Sequence, residues 1–225
     1  MATHSRTDVI LKIRDTGVVP VFYHPDASIV KEVLQACYEG GIRVFEFTNR
    51  GDLAHEVFTE VGRFCRANFP DLVLGAGSVP DAPTAVLYMQ LGASFVVSPT
   101  LDAETARVCN RRKVLWIPGC GSATEIQQAH DLGAEYVKIF PGQSVGGPAF
   151  VRNILGPMPW SSLLPTGGVS TDKKSLQEWF DAGVAAVGMG SALFTQKLIA
   201  QKDFALLEEK VKELLFTIRE IRGDL

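Results

Sequence analysis

The stretch Tyr136-Val137-Lys138-Ile139-Phe140-Pro141 has the length and composition of a buried β-strand. Its residues are mostly aromatic or β-branched, and a proline followed by a glycine ends the run. Because side chains alternate along a strand, Lys138 shares one face with the two aromatic residues of the stretch. An ammonium group on such a face is costly, which favours the neutral amine, and a neutral amine can form a Schiff base with a carbonyl. A lysine that reaches solvent or a salt bridge from the strand end is the alternative interpretation.

Seven other short apolar runs, each with a helix-like segment after it, repeat along the chain. Short continuous apolar strands that alternate with helices are typical of a parallel sheet covered on both faces. Eight such units predict an α/β fold, a (β/α)₈ TIM barrel, with a doubly wound open sheet as the alternative. The predicted strands are 18–23, 42–49, 72–78, 95–99, 114–118, 136–141, 163–166 and 185–189.

Two further helices are predicted outside the alternating units, an extra N-terminal helix over about 5–16 and a C-terminal helix over about 204–222. No linker or low-complexity segment divides the chain, so we expect a single barrel domain over 1–225. The helices predicted between the strands are 28–38, 55–69, 82–90, 103–110, 123–131, 150–155 and 173–181.

The composition and charge argue against several classes of partner. A net charge of −3 gives no reason to expect nucleic acid or an anionic membrane surface. No apolar run reaches membrane-spanning length, and the first residues lack a signal-peptide core, so we expect a cytoplasmic protein. Cys37, Cys65, Cys109 and Cys120 are scattered without metal-ligand spacing, which predicts reduced structural thiols and no metal site.

A carboxylate lies inside the predicted strand 42–49. Alternation places Glu46 on one face with Val44 and Thr48, while the phenylalanines beside it face the helices. A buried carboxyl group without a partner has a raised pKa, so a nearby cation or a catalytic use must account for it. Arg50 follows at the strand end and could hold a carboxylate in a bidentate manner. A structural Glu46–Arg50 ion pair is the alternative interpretation.

Glycine-rich turns end the last two predicted strands, Thr166-Gly167-Gly168-Val169 and Gly188-Met189-Gly190-Ser191. Glycines let the backbone approach a ligand and direct N–H groups at an anion. The loops after strands 7 and 8 of such barrels form a recurrent phosphate site, with plain turns as the alternative interpretation. After the fifth strand, Ser122 and Glu125 have the spacing of a capping box, which favours a structural role for that pair.

Short motifs at the strand ends occur in a fixed order: Glu46-Phe47-Thr48-Asn49-Arg50, Gly75-Ala76-Gly77-Ser78-Val79, Val97-Ser98-Pro99, Ile117-Pro118-Gly119, Lys138-Ile139-Phe140-Pro141, Pro165-Thr166-Gly167-Gly168-Val169 and Gly190-Ser191. With this ordered set the chain resembles, from about residue 8 to 195, the 2-keto-3-deoxy-6-phosphogluconate (KDPG) / 4-hydroxy-2-oxoglutarate (KHG) aldolase family. The resemblance implies a class I, metal-free aldolase on a (β/α)₈ barrel, usually a homotrimer, that needs no cofactor.

The resemblance also implies a role for each matching residue. Lys138 forms the Schiff base with the ketone of a 2-oxo acid, and Glu46 acts as the general acid and base. The implied binding residues are Arg50 and Ser78 for the pyruvyl carboxylate, Pro99, Phe140 and Thr166 around the imine, and Gly167, Gly168, Gly190 and Ser191 for a distal phosphate. The implied partner is a small 2-oxo acid, usually phosphorylated.

The chain departs from the family pattern at three places. Ser78 stands where threonine is common, Ser122-Ala123-Thr124-Glu125 lacks a usual proline, and Gly142-Gln143 replaces a usual Ala-Glu. The expected substrate is 2-dehydro-3-deoxy-6-phosphogluconate, cleaved to pyruvate and glyceraldehyde 3-phosphate. The alternatives are 4-hydroxy-2-oxoglutarate and 2-dehydro-3-deoxy-6-phosphogalactonate. From other classes, a sugar-phosphate epimerase or isomerase barrel and a non-catalytic binder are the competing interpretations.

Overall fold

The computed structural model describes residues 3–224, in which strands and helices alternate after an N-terminal helix. The strands are β1 (Val18–Phe22), β2 (Val44–Thr48), β3 (Val73–Gly77), β4 (Phe95–Val97), β5 (Leu115–Ile117), β6 (Gly119–Cys120), β7 (Tyr136–Ile139), β8 (Ser162–Pro165) and β9 (Val187–Met189). The helices are α1 (Arg6–Thr16), α2 (Ala27–Glu39), α3 (Ala54–Asn68), α4 (Ala82–Leu91), α5 (Ala103–Arg112), α6 (Ala123–Asp131), α7 (Gly147–Leu155), α8 (Lys173–Asp181), α9 (Gln196–Gln201) and α10 (Phe204–Arg222).

The strands close into a parallel barrel. One sheet has the order β5-β4-β3-β2-β1-β9, and a second has the order β6-β7-β8. β5 lies within the predicted fifth strand, 114–118, whereas β6 lies just beyond it, in a stretch that was not predicted as a strand. β5 pairs with β4 and β6 pairs with β7, and Pro118 between them has no N–H to donate to a neighbouring strand. A parallel bridge between Thr166, just after β8, and Gly188 of β9 joins the second sheet to the first. The predicted (β/α)₈ barrel is confirmed.

Two apolar cores follow from the alternation along each strand. On β2, Phe45 and Phe47 are buried in the outer core between the sheet and the helices. Val44 belongs to the separate core inside the barrel. Glu46 and Thr48 therefore also point inward, as the period-2 pattern predicts.

Helix α1 packs against the amino-terminal ends of the strands. Val9 and Ile13 belong to the inner core, together with Tyr136 at the start of β7. The Tyr136 hydroxyl donates a hydrogen bond to the carbonyl oxygen of Ile10 at 3.2 Å. The barrel is thus filled at its amino-terminal end, and the carboxyl ends of the strands are left for a site.

Two helices differ from the sequence prediction. Helix α9 was not predicted, because a helix of this length is too short to show an apolar period; Thr195 caps it by accepting a hydrogen bond from the N–H of Leu198. Helix α7 begins at Gly147 and not near Phe150. Glycine and proline in its first turn conceal this start, although proline is well tolerated there.

No helix within residues 3–224 is both long enough and apolar enough to cross a membrane. The four cysteines named above are buried and free. Burial raises the pKa of the thiols of Cys65, Cys109 and Cys120 to about 12, so these thiols stay protonated at neutral pH. They are structural thiols, as the sequence predicts.

Candidate active site

Lys138 and Glu46 approach each other inside the barrel, near the carboxyl ends of β7 and β2. Lys138 Nζ lies 3.9 Å from Glu46 Oε1. The two residues are only 6% and 2% exposed. Because 3.9 Å is longer than a hydrogen bond, the two groups are not hydrogen-bonded to each other, and both can reach an atom of a molecule held beside them. The structure brings together the two residues that the sequence marks as chemically unusual.

The Glu46 carboxyl group occupies space left by a glycine of the neighbouring strand. A Cβ on Gly77 would lie only 1.8 Å from Glu46 Oε1, so no larger residue fits there without moving the carboxyl group. Glu46 Oε1 is buried without a hydrogen-bond partner among the described residues. Burial raises the pKa of Glu46, and the positive charges of Lys138 and Arg50 oppose this rise. A carboxyl group whose pKa is raised by burial holds its proton more readily than a free one, and so suits a role in proton exchange.

The structural Glu46–Arg50 ion pair considered from the sequence does not form within residues 3–224. Lys138 is the cation that approaches the carboxyl group, while Arg50 is exposed beyond the end of β2. Arg50 is therefore available to bind an anion at the mouth of the barrel.

Lys138 is positioned by the two strands that flank β7 and by the ring of Phe140. Its backbone N–H donates to the carbonyl oxygen of Pro118 at 2.8 Å, and β7 pairs with β8 so that Lys138 lies opposite Leu164. Lys138 Nζ lies 5.1 Å from the centre of the Phe140 ring. An aromatic face at this distance attracts a cation, including a protonated imine formed on the same nitrogen.

A cavity of about 450 Å³ opens at the carboxyl end of the barrel. Thr48 and Phe140 line it, whereas Lys138 and Glu46 are not part of the lining. Because side chains alternate along a strand, Glu46 and Lys138 are the inward-facing residues one layer below Thr48 and Phe140, beneath the cavity. The predicted binding residues that line the cavity are Arg50, Phe140, Thr166, Gly167, Gly190 and Ser191. Ser78, Pro99 and Gly168 are not part of this lining.

Ser78 and Pro99 lie at the ends of β3 and β4, as the motifs predict. Ser78 has φ 55°, a left-handed conformation that is strained for a residue with a side chain. Before Pro99, the Ser98 hydroxyl accepts a hydrogen bond from Trp116 Nε1 at 3.0 Å. A Cβ on Gly119 would lie 2.2 Å from the Pro99 carbonyl oxygen, so this glycine permits close packing of the two loops.

Thr166 is a buried residue whose hydroxyl has no partner among the described residues. A Cβ on Gly188 would lie 2.1 Å from Thr166 Oγ1, so this glycine gives the hydroxyl its place at the β8–β9 junction. A buried hydroxyl without a partner is costly unless it binds a ligand, and this one belongs to a cavity-lining residue.

Backbone N–H groups are available at both glycine turns. Gly167 and Gly168 have φ values of 93° and 83°, which a residue with a side chain rarely adopts. Within residues 3–224, the N–H groups of Gly168 and Ser191 donate to no other group of the protein. Gly168 packs on Gln143, whose Cβ would be 2.2 Å from a Cβ placed on this glycine. N–H groups of this kind suit an anion.

The cavity also contains residues without a predicted role. Tyr23, Thr48 and Gln196 supply polar groups to its lining, and Phe194 supplies an apolar wall. Tyr23 directly follows β1, so the rule that strand ends carry the site could have identified it. Gln196 begins the helix that the sequence did not reveal, and no signal pointed to it.

The Ser122–Glu125 pair has the predicted structural role. Ser122 Oγ accepts the N–H of Glu125, and Glu125 Oε2 accepts the N–H of Gly121 at 2.8 Å and the Ser122 hydroxyl at 3.0 Å. These bonds begin α6. Among residues 3–224, no group of three His, Cys, Asp or Glu side chains is arranged to hold a metal ion.

These features define a class of protein, a (β/α)₈ barrel with a buried lysine and a buried carboxyl group beneath a cavity at the carboxyl ends of its strands. A lysine in such a site can act as the nucleophile of Schiff-base chemistry, and a carboxyl group beside it can exchange protons with a bound molecule.

The family is identified by comparison with known proteins. Residues 9–210 match the model of the KDPG and KHG aldolases. The chain is 28% identical over 218 residues to the 2-dehydro-3-deoxy-phosphogluconate aldolase of Haemophilus influenzae, covering 96% of this chain and all of the relative. It is 32% identical over 210 residues to the protein of that name from Pseudomonas aeruginosa, covering 93% and 92%. The chain belongs to the KDPG and KHG aldolase family, a family of lyases.

A solved structure supports the same assignment. The KDPG aldolase of Legionella pneumophila, with pyruvate captured as a covalent carbinolamine intermediate, superposes with a TM-score of 0.82 at 26% identity. The match covers 92% of this chain and 97% of that protein. The family and the barrel predicted from the sequence are therefore both confirmed.

Proposed function

We propose that this protein is a class I aldolase that cleaves 2-dehydro-3-deoxy-6-phosphogluconate to pyruvate and glyceraldehyde 3-phosphate. The observation that carries the proposal is the buried pair of Lys138 Nζ and Glu46 Oε1, 3.9 Å apart near the carboxyl ends of their strands. Membership of the KDPG and KHG aldolase family supports the reaction class. The covalent pyruvate adduct in the Legionella pneumophila aldolase supports a Schiff-base route.

The first stage forms the imine. The neutral amine of Lys138 attacks the C2 ketone of the substrate to give a carbinolamine. Glu46, whose pKa burial raises, donates a proton to the departing hydroxyl group, and water leaves. The product is a cationic imine that draws electrons from the neighbouring carbon–carbon bond. No metal or cofactor takes part in the proposed route.

The second stage breaks the C3–C4 bond. The Glu46 carboxylate takes the proton of the C4 hydroxyl group as the aldehyde forms, and the bonding electrons move into the imine to give an enamine. Glu46 returns that proton to C3 of the enamine, and hydrolysis then releases pyruvate and the free amine. General acid–base assistance of this kind contributes about 10²–10⁴-fold to the rate.

The remaining predicted residues bind and orient the substrate. In this proposal Arg50, with Ser78 at the end of β3, holds the carboxylate beside the ketone. Pro99, Phe140 and Thr166 surround the imine; the ring position near Nζ and the buried Thr166 hydroxyl support this role. Such positioning is a large part of the catalytic effect.

The distal phosphate is proposed to bind at the two glycine turns. The turns of Gly167, Gly168, Gly190 and Ser191, in which the N–H groups of Gly168 and Ser191 make no hydrogen bond within residues 3–224, suit a dianion beside the cavity. This favours a phosphorylated substrate over 4-hydroxy-2-oxoglutarate. The gluconate- and galactonate-derived acids both carry the phosphate, so cleavage rates measured with all three acids are needed to rank them.

Several expectations about the whole protein stay predictions. We propose that the chain is one barrel domain, which the unbroken succession of strands and helices supports. The homotrimer follows from the resemblance alone, and the cytoplasmic location is equally a prediction.

Reductive trapping tests the proposed nucleophile. Borohydride with pyruvate should attach the three-carbon unit to Lys138, as peptide mapping would locate, because reduction converts the imine to a stable amine. Lys138→Ala should abolish both trapping and cleavage. Lys174→Ala, which removes an exposed lysine on α8, is the matched control and should retain both. An adduct on another lysine would contradict the assignment.

A second variant separates Glu46 from the nucleophile. Glu46→Gln should lower kcat by about 10²–10⁴-fold because it cannot exchange a proton, while pyruvate is still trapped at a reduced rate. An epimerase or isomerase would be insensitive to pyruvate with borohydride, and a silent binder would bind without turnover. Full cleavage activity in Glu46→Gln would reduce this residue to a structural role.

A further inference from the structure

The orientation of the Arg50 side chain depends on the loop that carries it. The residue is exposed, and within residues 3–224 its side chain makes no hydrogen bond or ion pair. Its backbone N–H donates to the carbonyl oxygen of Thr48 at 3.0 Å. A flexible side chain without its own partners binds a carboxylate well only if the backbone that carries it is held in place.

Asn49, the residue before Arg50, is held at two points. Its backbone N–H donates to the carbonyl oxygen of Gly77 at 2.8 Å, which continues the pairing of β2 with β3. Its side-chain Oδ1 accepts a hydrogen bond from the Tyr88 hydroxyl at 2.9 Å. The second bond connects the Arg50 loop to helix α4, outside the barrel.

Tyr88 is a rigid donor. It is 1% exposed, and its ring meets the Phe58 ring edge-on with the centres 5.0 Å apart. Burial raises the pKa of the Tyr88 hydroxyl to about 12, so this group remains a donor throughout the neutral range. Tyr88 lies on α4, outside the barrel, and is absent from the cavity lining.

The other side of the loop packs against Tyr23. The Tyr23 hydroxyl would lie 2.1 Å from a Cβ placed on Gly51, the residue after Arg50. The loop is thus confined between a cavity-lining tyrosine from the end of β1 and a buried tyrosine from α4.

We propose that Tyr88 is a positioning residue that holds Arg50, through Asn49, in the direction needed to bind the carboxylate of the 2-oxo acid. The inference rests on the proposed function, in which Arg50 binds that carboxylate. It gives a role in substrate affinity to two residues, Asn49 and Tyr88, that are absent from the cavity lining.

The test is reductive trapping over a range of pyruvate concentrations. Tyr88→Phe keeps the buried ring but removes the hydrogen bond, so the half-saturating pyruvate concentration should rise about fivefold, the effect of one ordinary hydrogen bond. The limiting trapping rate should change much less, because the lysine and the carboxyl group are untouched. The trapping rate with hydroxyacetone, a ketone without a carboxylate, should be unchanged. A general loss of structure would lower trapping with both ketones.

Two further variants complete the test. Asn49→Ala removes the acceptor and should raise the half-saturating concentration to a similar degree. The double variant should be no worse than the more severe single variant, as expected for partners in one bond. Tyr38→Phe is the matched control, because the Tyr38 hydroxyl donates to Asp71 at 2.6 Å away from the cavity; its trapping constants should equal those of the wild type.

Arg50→Gln distinguishes failure of this inference from failure of the proposed function. If Arg50→Gln raises the half-saturating pyruvate concentration and Tyr88→Phe does not, the positioning role is wrong and the carboxylate site stands. If Arg50→Gln leaves that concentration unchanged, Arg50 does not bind the carboxylate. The proposed role of Arg50 and the positioning role of Tyr88 are then both wrong.

Discussion

At the scale of single residues, Gly77 sets the position of the Glu46 carboxyl group. The Gly77→Ala variant would place a methyl group 1.8 Å from Glu46 Oε1. The methyl group is fixed to the backbone of β3 and cannot rotate away from this contact. The carboxyl group must therefore move away from its place 3.9 Å from Lys138 Nζ. A displacement of about 1 Å at a reacting group costs about 10²-fold, so kcat/KM for cleavage should fall by at least that factor.

Gly156→Ala is the control for that measurement. Gly156 ends α7 in a right-handed conformation, and a Cβ there would have no heavy atom closer than 3.7 Å. This variant should keep the wild-type kcat/KM, and its stability should be equal or slightly higher. A Gly77→Ala enzyme with wild-type kinetics would mean that the Glu46 position is not critical.

The difference between Lys138 and Gly77 explains what sequence could predict at this scale. Lys138 and Glu46 could be identified because a charged residue in a short apolar run contradicts its surroundings, whatever the rest of the fold. Gly77 and Tyr88 carry no such contrast. Their roles depend on which side chain of another element reaches them, and that is fixed only by three-dimensional packing.

At the scale of secondary-structure elements, α1 stabilises the barrel from its amino-terminal end. Ile13 is fully buried in the inner core, and Leu11 on the same helix is 40% exposed. Ile13→Ala should lower the free energy of unfolding by about 2–5 kcal/mol, because it leaves a cavity in a closed interior. Leu11→Ala should change it by less than about 0.5 kcal/mol, as is usual for surface positions.

Urea unfolding followed by circular dichroism would measure both variants. Because Ile13 lies at the opposite end of the barrel from the Lys138 cavity, kcat in the folded Ile13→Ala enzyme should stay near the wild-type value. Equal stability losses in the two variants would show that α1 is not a filled end of the barrel but an attached surface helix.

Element prediction succeeded where the apolar period was long enough to count. The α10 bounds agree with those predicted, and the β2 pattern gave the correct faces for Glu46 and Phe47. It failed for α9, which is short. It also failed at Pro118, where the chain leaves the first sheet after β5 and joins the second sheet as β6. Local composition determines elements such as α10 and β2, whereas the break at Pro118 depends on hydrogen-bond pairing with neighbouring strands.

At the scale of the whole molecule, closure of the barrel brings distant segments into one site. Repetition of strand and helix was enough to predict the closed sheet, since the connections of parallel strands are strongly restricted. Closure places Glu46 of β2 against Lys138 of β7. The contribution of Gln196 to the cavity depended on an element that was not predicted, so the outline of the distal site remained incomplete.

Enclosing Glu46 in this way makes the stability of the whole molecule depend on pH. Burial raises the pKa of Glu46 above its ordinary value of 4.5, so the folded protein holds this proton more tightly than the unfolded chain does. The free energy of unfolding therefore contains a contribution that is fully present below about pH 4.5 and is lost as the pH rises through the folded-state pKa. The stability of the wild type relative to Glu46→Gln should therefore fall as the pH rises above about 4.5.

Asp81→Asn provides a control of opposite sign in the same urea titrations. Asp81 caps α4, and hydrogen bonds from Thr84 hold the pKa of this carboxyl group below its ordinary value. Its contribution is present above about pH 4 and is lost as the pH falls further, so the stability of the wild type relative to Asp81→Asn should rise with pH over the acid range. A Glu46→Gln difference that is flat, or that rises with pH as the Asp81 difference does, would mean that the buried carboxyl group is stabilised in its charged form and does not carry a proton into the imine-forming step.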